Sequence, residues 1–339
     1  MTRVRPALLL AAAALFPLAV AAQTTAPAIA TGGLVNAADY TAPLAPGAMA
    51  SIFGSALAPS TQAASAVPLP KTIAGVSVEV SQNGSTWTNA PLYFVSAGQI
   101  NVQMPFLPEG ALQVRVRTAA GVSPAATTTL YAHAPRIFTR TMDGKGEPIL
   151  LHSRDYSWVS QTAPAAPGEY LVLLLTGLGA VSPAATAGAP GGDNASNGPV
   201  NYLTDPAYVN FGGIEVPASF AGLMPGFPGI YQVNFQVPAA IPAGSQSIWV
   251  RSASARSQLN VAAMCTRTPS GGVSAVVSPS GGSLSAPGIA VTVPAGAFSS
   301  SATLSIVRAS SPSTPVDSWR ASDLYTVTGL PATFNGPIT

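Results

Sequence analysis

The stretch "GQINVQMP" (Gly98–Pro105) returns later in the chain as "YQVNFQVP" (Tyr231–Pro238). In each, Gln, Asn and Gln take alternate positions, apolar residues fill the gaps, and proline ends the run. Period-two alternation is the mark of a β-strand with one face in a core. Gln99, Asn101 and Gln103 therefore face one way while Ile100, Val102 and Met104 face the other. In the second run Gln232, Asn234 and Gln236 oppose Val233, Phe235 and Val237. Asn is a poor strand former, so its place in both runs implies local hydrogen bonds that offset the cost. These six residues are expected to be structural amide ladders. The competing reading is a polar, ligand-binding face.

Working outward, further features match in the same order. "APGAMASIFGSALAP" from Ala45 is echoed by "APGEYLVLLLTGLGAVSP" from Ala166. "IAGVSVEV" and "APLYFV" are echoed by "YVNFGGIEVPASF", and "PEGALQVRVR" by "PAGSQSIWVR". Val76, Val78 and Val80 alternate with Ser77 and Glu79, which predicts a half-buried strand. Val114 and Val116 face away from Arg115 and Arg117. "NGS" at Asn83 reads as a turn. Short strands between frequent turns predict an antiparallel sandwich, and a period of roughly 130 residues is a domain duplication rather than a solenoid. The second copy carries a longer loop, "ATAGAPGGDNASNGPVNYLTD". Between the copies, "APRIF" reads as a strand closing the first unit, "GEPILLH" as one opening the second, and "DYSWV" as a short hairpin.

The expected fold class is all-β: tandem Ig-like β-sandwiches in two related copies, plus a partial third β-sandwich module. The expected division is a signal peptide at 1–22, a linker at 23–32, sandwich 1 at 33–133, sandwich 2 at 134–263, a linker at 264–272, and the partial module at 273–339. The N-terminus has Arg3 and Arg5, an apolar run from Ala7 to Leu18, and the small-residue site "AVAAQ", the three-part pattern of a secretory signal. Cleavage is expected after Ala21 or Ala22. No later run reaches the roughly 20 apolar residues of a membrane span, so none is expected after cleavage. The mature chain is expected to be secreted, extracellular or at a bacterial cell surface.

Charged residues make up only 8% of the chain, the formal net charge is +2 and the Lys and Arg are scattered. That pattern argues against a nucleic-acid partner, which would need a clustered basic face. The 32 Gly and 33 Pro suit many turns and oppose long helices. A single cysteine, Cys265, excludes an intramolecular disulfide. It reads as a linker residue, with pairing between chains as the alternative.

No residue pattern points to catalysis, and no cofactor is expected. Glu147 and Asp155 are a conceivable carboxylate pair, but they sit in a charged connecting segment where solvated side chains are the plainer reading. Only His133 and His152 could serve a serine hydrolase, and no nucleophile elbow accompanies them. Two His and one Cys are too few and too dispersed for zinc. "GGDNASNG" could lend Asp193, Asn194 or Asn197 to calcium, although a plain loop accounts for it. Sugar-stacking candidates are Tyr40, Trp87, Tyr93, Tyr156, Trp158, Tyr202, Tyr208 and Trp249. Apolar neighbours assign Tyr93 and Trp249 to core packing. Trp87 and Trp158, among polar residues near turns, are the weak candidates for ligand binding.

The ordered motifs "LVNAADY…APGAMASIFGSALA…APLYFVSAGQINVQMP" and "PRIFT…APGEYLVLLLTGLGAVSP…PGIYQVNFQVP" resemble the uncharacterised C-terminal domain family of exported acidobacterial proteins of the Solibacter type, over about residues 33–263. The resemblance implies an exported, β-rich module with no assigned activity and no catalytic residues to carry over. "GIAVTVPAGAFSSSATLSI", within 270–339, weakly resembles the β-sandwich shared by ankyrins and netrin receptors. The expected function is a non-catalytic surface or extracellular role in structure, adhesion or scaffolding. The alternatives are a carbohydrate-binding accessory protein acting on polysaccharides and, third, a hydrolase with a shallow site in the connecting region. Extracellular glycans or other surface proteins are the partners such roles imply.

Overall fold

The computed structural model describes residues 25–265, 273–286, 289–308, 325–333, 335 and 338. The expected signal peptide lies outside them. Among the described residues there is no helix, and therefore none long and apolar enough to cross a membrane.

The first sandwich is built from β1 (Ala28–Asn36), β2 (Met49–Ser55), β3 (Gln62–Ala63), β4 (Ser77–Ser81), β5 (Thr88–Ala90), β6 (Leu92–Val95), β7 (Gln99–Gln103), β8 (Gly110–Thr118), β9 (Gly121–Val122) and β10 (Ala126–Leu130). One sheet runs β1-β2-β7-β6-β3 and the other β10-β8-β4-β5, with β9 beside β8. The second is built from β11 (Arg136–Ile137), β12 (Leu150–His152), β13 (Tyr170–Thr176), β14 (Val181–Ser182), β15 (Tyr202–Leu203), β16 (Ala207–Phe211), β17 (Ile214–Pro217), β18 (Phe220–Leu223), β19 (Tyr231–Gln236), β20 (Gly244–Ser252), β21 (Ala255–Arg256) and β22 (Ala262–Cys265). Its sheets contain the same paths, β13-β19-β18-β15 and β22-β20-β16-β17. Strand order and register repeat together: Met49 pairs with Gln103 in β2/β7, and Tyr170 with Gln236 in β13/β19. These are tandem Ig-like sandwiches, with two sheets of the usual immunoglobulin order in each copy.

Alternation along the paired strands fills both cores. In the first, Ile52, Ile100 and Val102 meet Val78, Val114 and Val116, all fully buried. In the second, Leu173, Val233 and Phe235 meet Val209, Phe211, Ile248 and Val250. The Phe211 and Phe235 rings meet edge to face at 5.9 Å. Each such side chain contributes about 1.5–3 kcal/mol by leaving water, and together they hold sandwiches that contain no disulfide. A hydroxyl brace also recurs: the N–H groups of Val116 and Val250 donate to Ser123 Oγ and Ser257 Oγ at 3.0 and 2.9 Å.

The partial third module comprises β23 (Val273–Val277), β24 (Gly282–Ala286), β25 (Ile289–Val293), β26 (Ala302–Arg308) and β27 (Tyr325–Thr328). A β23-β26-β27 sheet and a β24-β25 hairpin enclose Leu284, Val293, Phe298 and Leu304.

Several expectations are corrected. The linker at 23–32 is partly strand: Ala28 and Ile29 pair with Ser55 and Gly54, and a bulge before Leu34 resets the register. "APRIF" does not close the first unit, because β11 pairs with β13 of the second. The linker at 264–272 starts late, because Met264 and Cys265 pair with Ser245 and Gly244. Cys265 is a buried core residue, and burial, with the Glu169 carboxylate nearby, pushes its thiol up to about 12. A thiol buried in apolar surroundings is held in its protonated, less nucleophilic form.

Finally, β4 is buried on both faces rather than one. Glu79 is the reason. Its carboxylate takes Arg115 Nε at 2.5 Å and Arg117 Nε at 2.7 Å, and the Trp87 ring lies 3.7 Å from the Arg115 guanidinium carbon. The Arg117 hydrogen bond, opposed by burial and aided by Arg115, holds the Glu79 carboxyl below its ordinary range. A depressed folded-state pKa adds stability that is present above the ordinary carboxylate value and lost as pH falls through the folded one. Glu79→Gln is therefore expected to lower the melting temperature at pH 7 by at least a few degrees. It should also reduce the loss of melting temperature between pH 5 and pH 2 in calorimetry. An unchanged acid limb would contradict this assignment.

Candidate functional site

Both amide rows use their side chains in the same way. Gln99 Nε2 donates to Asn101 Oδ1 at 2.8 Å, and Gln232 Nε2 to Asn234 Oδ1 at 2.8 Å. Asn101 Oδ1 also accepts from Ser51 Oγ at 3.0 Å. The last amide of each row reaches the preceding APG turn: Gln103 Nε2 donates to Gly47 O at 3.3 Å and Gln236 Nε2 to Gly168 O at 2.8 Å. Gln103, Gln232 and Asn234 are buried.

In the first copy the same amide does more. Gln103 Oε1 accepts the Gly188 N–H at 2.6 Å, and the Gly188 carbonyl accepts the Leu69 N–H at 2.8 Å. Gly188 belongs to the long loop of the second sandwich, so its peptide is clasped from both sides by the first. Gly188 has φ +88°, and a Cβ there would lie 3.0 Å from Pro91. The β18–β19 loop adds to this seam. Tyr93 donates its hydroxyl to the Pro228 carbonyl. Thr176 Oγ1 donates to Gly229 O and accepts the Met49 N–H, each at 2.9 Å. The fully buried Tyr231 donates its hydroxyl to Gly179 O, and Pro46 O lies 3.5 Å away. Burial raises the pKa of both tyrosines. Arg136 Nε meets Asp39 Oδ2 at 2.7 Å with both side chains largely covered, and Phe106 packs against the second core.

Beside the seam lies a cavity of about 310 Å³ lined by Phe106, Glu109, His133 and Asp205. His133 Nδ1 contacts Leu178 O at 2.7 Å and Nε2 lies 3.4 Å from Asp205 Oδ2. A second cavity of about 400 Å³ lies on the second sandwich at Gly168, Tyr170 and Gln236.

The candidate ligand aromatics do not converge. Trp87 is half-buried with Arg115 over its ring, so one face that a sugar would need is taken. Trp158 is exposed on the other sandwich, 5.1 Å from the Arg140 guanidinium. Tyr93 and Trp249 are not core residues. Tyr93 points into the seam, and Trp249, between the inward Ile248 and Val250, lies half-buried on the outer sheet face near Arg256. Glu147 pairs with Arg140 at 3.0 Å, whereas Asp155 accepts from Ser157 Oγ at 2.6 Å, which helps hold its carboxyl near 2. Asp193 accepts four hydrogen bonds from Ala195, Ser196 and Asn197, so its oxygens point at the loop's own donors. His152 Nε2 contacts Ala163 O at 3.1 Å, and Nδ1 lies 3.1 Å from Glu169 Oε1, whose carboxylate raises the imidazole pKa. Among the described residues no three His, Cys, Asp or Glu group as metal ligands.

Sequence reasoning missed Gly188, Thr176 and the Pro228–Gly229 turn. The available signal was length: both of the second copy's extra loops are the ones that dock.

No family model matches the chain, and no curated protein matches it in sequence. Among solved structures it is similar to SGBP-B from a complex xyloglucan utilization locus in Bacteroides uniformis (12% identity, 84% of this chain, 62% of that one, TM-score 0.23). It is also similar to SGBP-B of a Bacteroides ovatus mixed-linkage glucan utilization locus (12%, 66% and 43%, TM-score 0.28). A tandem pair of titin Ig domains matches at 11% identity over 71% of this chain and 98% of that one, with TM-score 0.19. The chain spans less than two thirds of the two SGBP-B proteins. At these scores the likenesses carry no functional argument, and the fold class rests on strand order and register.

The amide rows make a direct prediction. Asn234→Ala should cost about 1–3 kcal/mol, because it leaves the buried Gln232 amide without its acceptor, and Asn101→Ala about 0.5–1.5 kcal/mol, because the half-buried Gln99 amide can turn to water. Denaturant titration measures both; unchanged stability would assign the amides to something other than the fold.

Proposed function

We propose that this chain is an exported, non-catalytic protein of the cell surface or extracellular space, with a structural, adhesive or scaffolding role. The observation that carries the reading is the clasp on Gly188, which ties two sandwiches into one stiff body. Domains joined by a bare linker move independently, whereas here Leu69 and Tyr93 donate hydrogen bonds across the seam and Gln103 and Thr176 accept them. Stiffness of this kind suits a spacer or a display element.

Support for the non-catalytic part comes from the engaged carboxylates: Glu79, Glu147 and Glu215 each pair with arginine, and Asp193 faces its own loop. Export rests on the N-terminal sequence. Membership of the Solibacter-type family, carried by the ordered motifs, belongs to the same proposal.

Fractionation of cells making the full chain should place it outside the cytoplasm, with a new N-terminus at Ala22 or Gln23. Its deletion should weaken attachment or matrix cohesion. Retention in the cytoplasm, or turnover of a hydrolase substrate, would overturn the reading. The stiffness has its own measurement. The two sandwiches should melt as one calorimetric transition, and Gly188→Val should split it in two, because a β-branched residue at φ +88° is strained by about 1–3 kcal/mol and strikes Pro91.

A further inference from the structure

We infer that the second sandwich carries an open docking socket for a proline- and glycine-rich loop of a neighbouring β-sandwich module. This deepens the scaffolding reading and rests on it.

The inference comes from the duplication. Strand register equates Met49 with Tyr170 and Gln103 with Gln236. Pairing of Val78 with Ala90 and of Val209 with Val216 then equates Pro91 with Pro217. The APG turns equate Gly47 with Gly168, and the positions after "QMP" and "QVP" equate Phe106 with Ala239. In the first sandwich these residues are the receiving side of the seam. Gly188 lies against Pro91, Gly229 lies against Met49 and Gln103, and Phe106 packs on the incoming sandwich. In the second sandwich the equivalent residues, Gly168, Tyr170, Pro217, Gln236 and Ala239, line the open cavity of about 400 Å³. The internal brace is also the same, since Gln236 bonds Gly168 O as Gln103 bonds Gly47 O.

The seam states what such a socket accepts. Its occupants are the tips "AGAP" (Ala187–Pro190) and "FPGI" (Phe227–Ile230), Gly-Pro turns from a β-sandwich. Glycine lets the backbone approach closely, and proline presents a preformed apolar surface to aromatic walls such as Tyr170. The cavity lining contains no Lys, Arg, Asp or Glu, so it offers no ionic recognition to a charged peptide or an anionic polymer. A partner module seated there would extend the body in the direction that runs from the first sandwich to the second, as a heterologous contact.

The experiment uses the purified chain and a fluorescent, head-to-tail cyclised peptide of Leu223–Tyr231, whose ends the β18–β19 pairing normally holds together. Saturable binding at one site per chain is expected in fluorescence anisotropy. Ala239→Trp, at an exposed position that tolerates a larger side chain, should fill the socket and weaken binding at least tenfold with the melting temperature retained. Tyr170→Ala should also weaken it, and Trp158→Ala should not. The inference is overturned by no saturation at millimolar peptide or by binding that Ala239→Trp leaves unchanged. Retention on laminarin or galactomannan gels that Ala239→Trp abolishes, without peptide binding, would overturn it in favour of a sugar. Because binding is read on purified chain, a negative result here leaves the fractionation result standing.

Discussion

One primary amide joins three parts of this molecule. Gln103 sits at the end of β7, donates to the APG turn at Gly47, and accepts from Gly188 of the neighbouring sandwich. The chain has no disulfide and little charge, so the relation between its sandwiches depends on buried polar contacts of this kind. Buried amides must be satisfied to be tolerated, and the loop that covers Gln103 also supplies the Gly188 N–H that its oxygen needs. Satisfying the amide and fixing the domain angle are therefore the same event. Thr176 works similarly, with one hydroxyl that donates to Gly229 and accepts from Met49.

The two copies share sheets and differ in loops. The β2–β3 connection of the first is short, whereas the corresponding stretch after β13 carries Gly188. The β6–β7 turn is short, whereas the β18–β19 loop carries Pro228 and Gly229. Both additions lie on the face that meets the first sandwich. Sheet register tolerates little change because one residue of slip exposes the core face, while loop length costs little in closure entropy. Divergence therefore fell on the loops and produced the seam.

The same contrast explains what the sequence made legible. The alternation in "QINVQMP" and "YQVNFQVP", with apolar residues on one face, identified the strands and the duplication. The sandwich class followed, since inward Ile100, Val102, Val233 and Phe235 need facing sheets. Tyr93 was misread because alternation separates inside from outside within one sheet and says nothing about a second sandwich covering the outside. The strand that carries Glu79 was read as half-buried because the cover of its outer face comes from Arg115 and Arg117, a strand away in space and far in sequence. "APRIF" was misassigned because two residues pair with whichever strand edge the tertiary structure offers. Gly188 gave no periodic signal at all: its role follows from a positive φ and a close approach to Pro91, which only the assembled seam defines.

The outer faces of the β4-β8 and β16-β20 sheets carry a related lesson. Arg117 and Arg251 are equivalent by register, yet Arg117 pairs with Glu79 on the adjacent strand β4, whereas Arg251 reaches across β16 to Glu215 on β17. Arg115 and Trp249 are equivalent as well. The first lies over Trp87 beside β5 and the second faces Arg256 on β21, so each copy has a cation–aromatic pair at this position with a partner from a different part of the sheet. Each copy thus satisfies this face internally, by different residues, and a cation already held by a carboxylate or a ring contributes little to a partner. The sandwich ends differ from these faces: there the APG turn, the last amide of the strand and the following proline form a surface that the sheets themselves leave uncovered. In the first copy that surface is closed by the second, which is why the equivalent end of the second sandwich is the place where the next contact belongs.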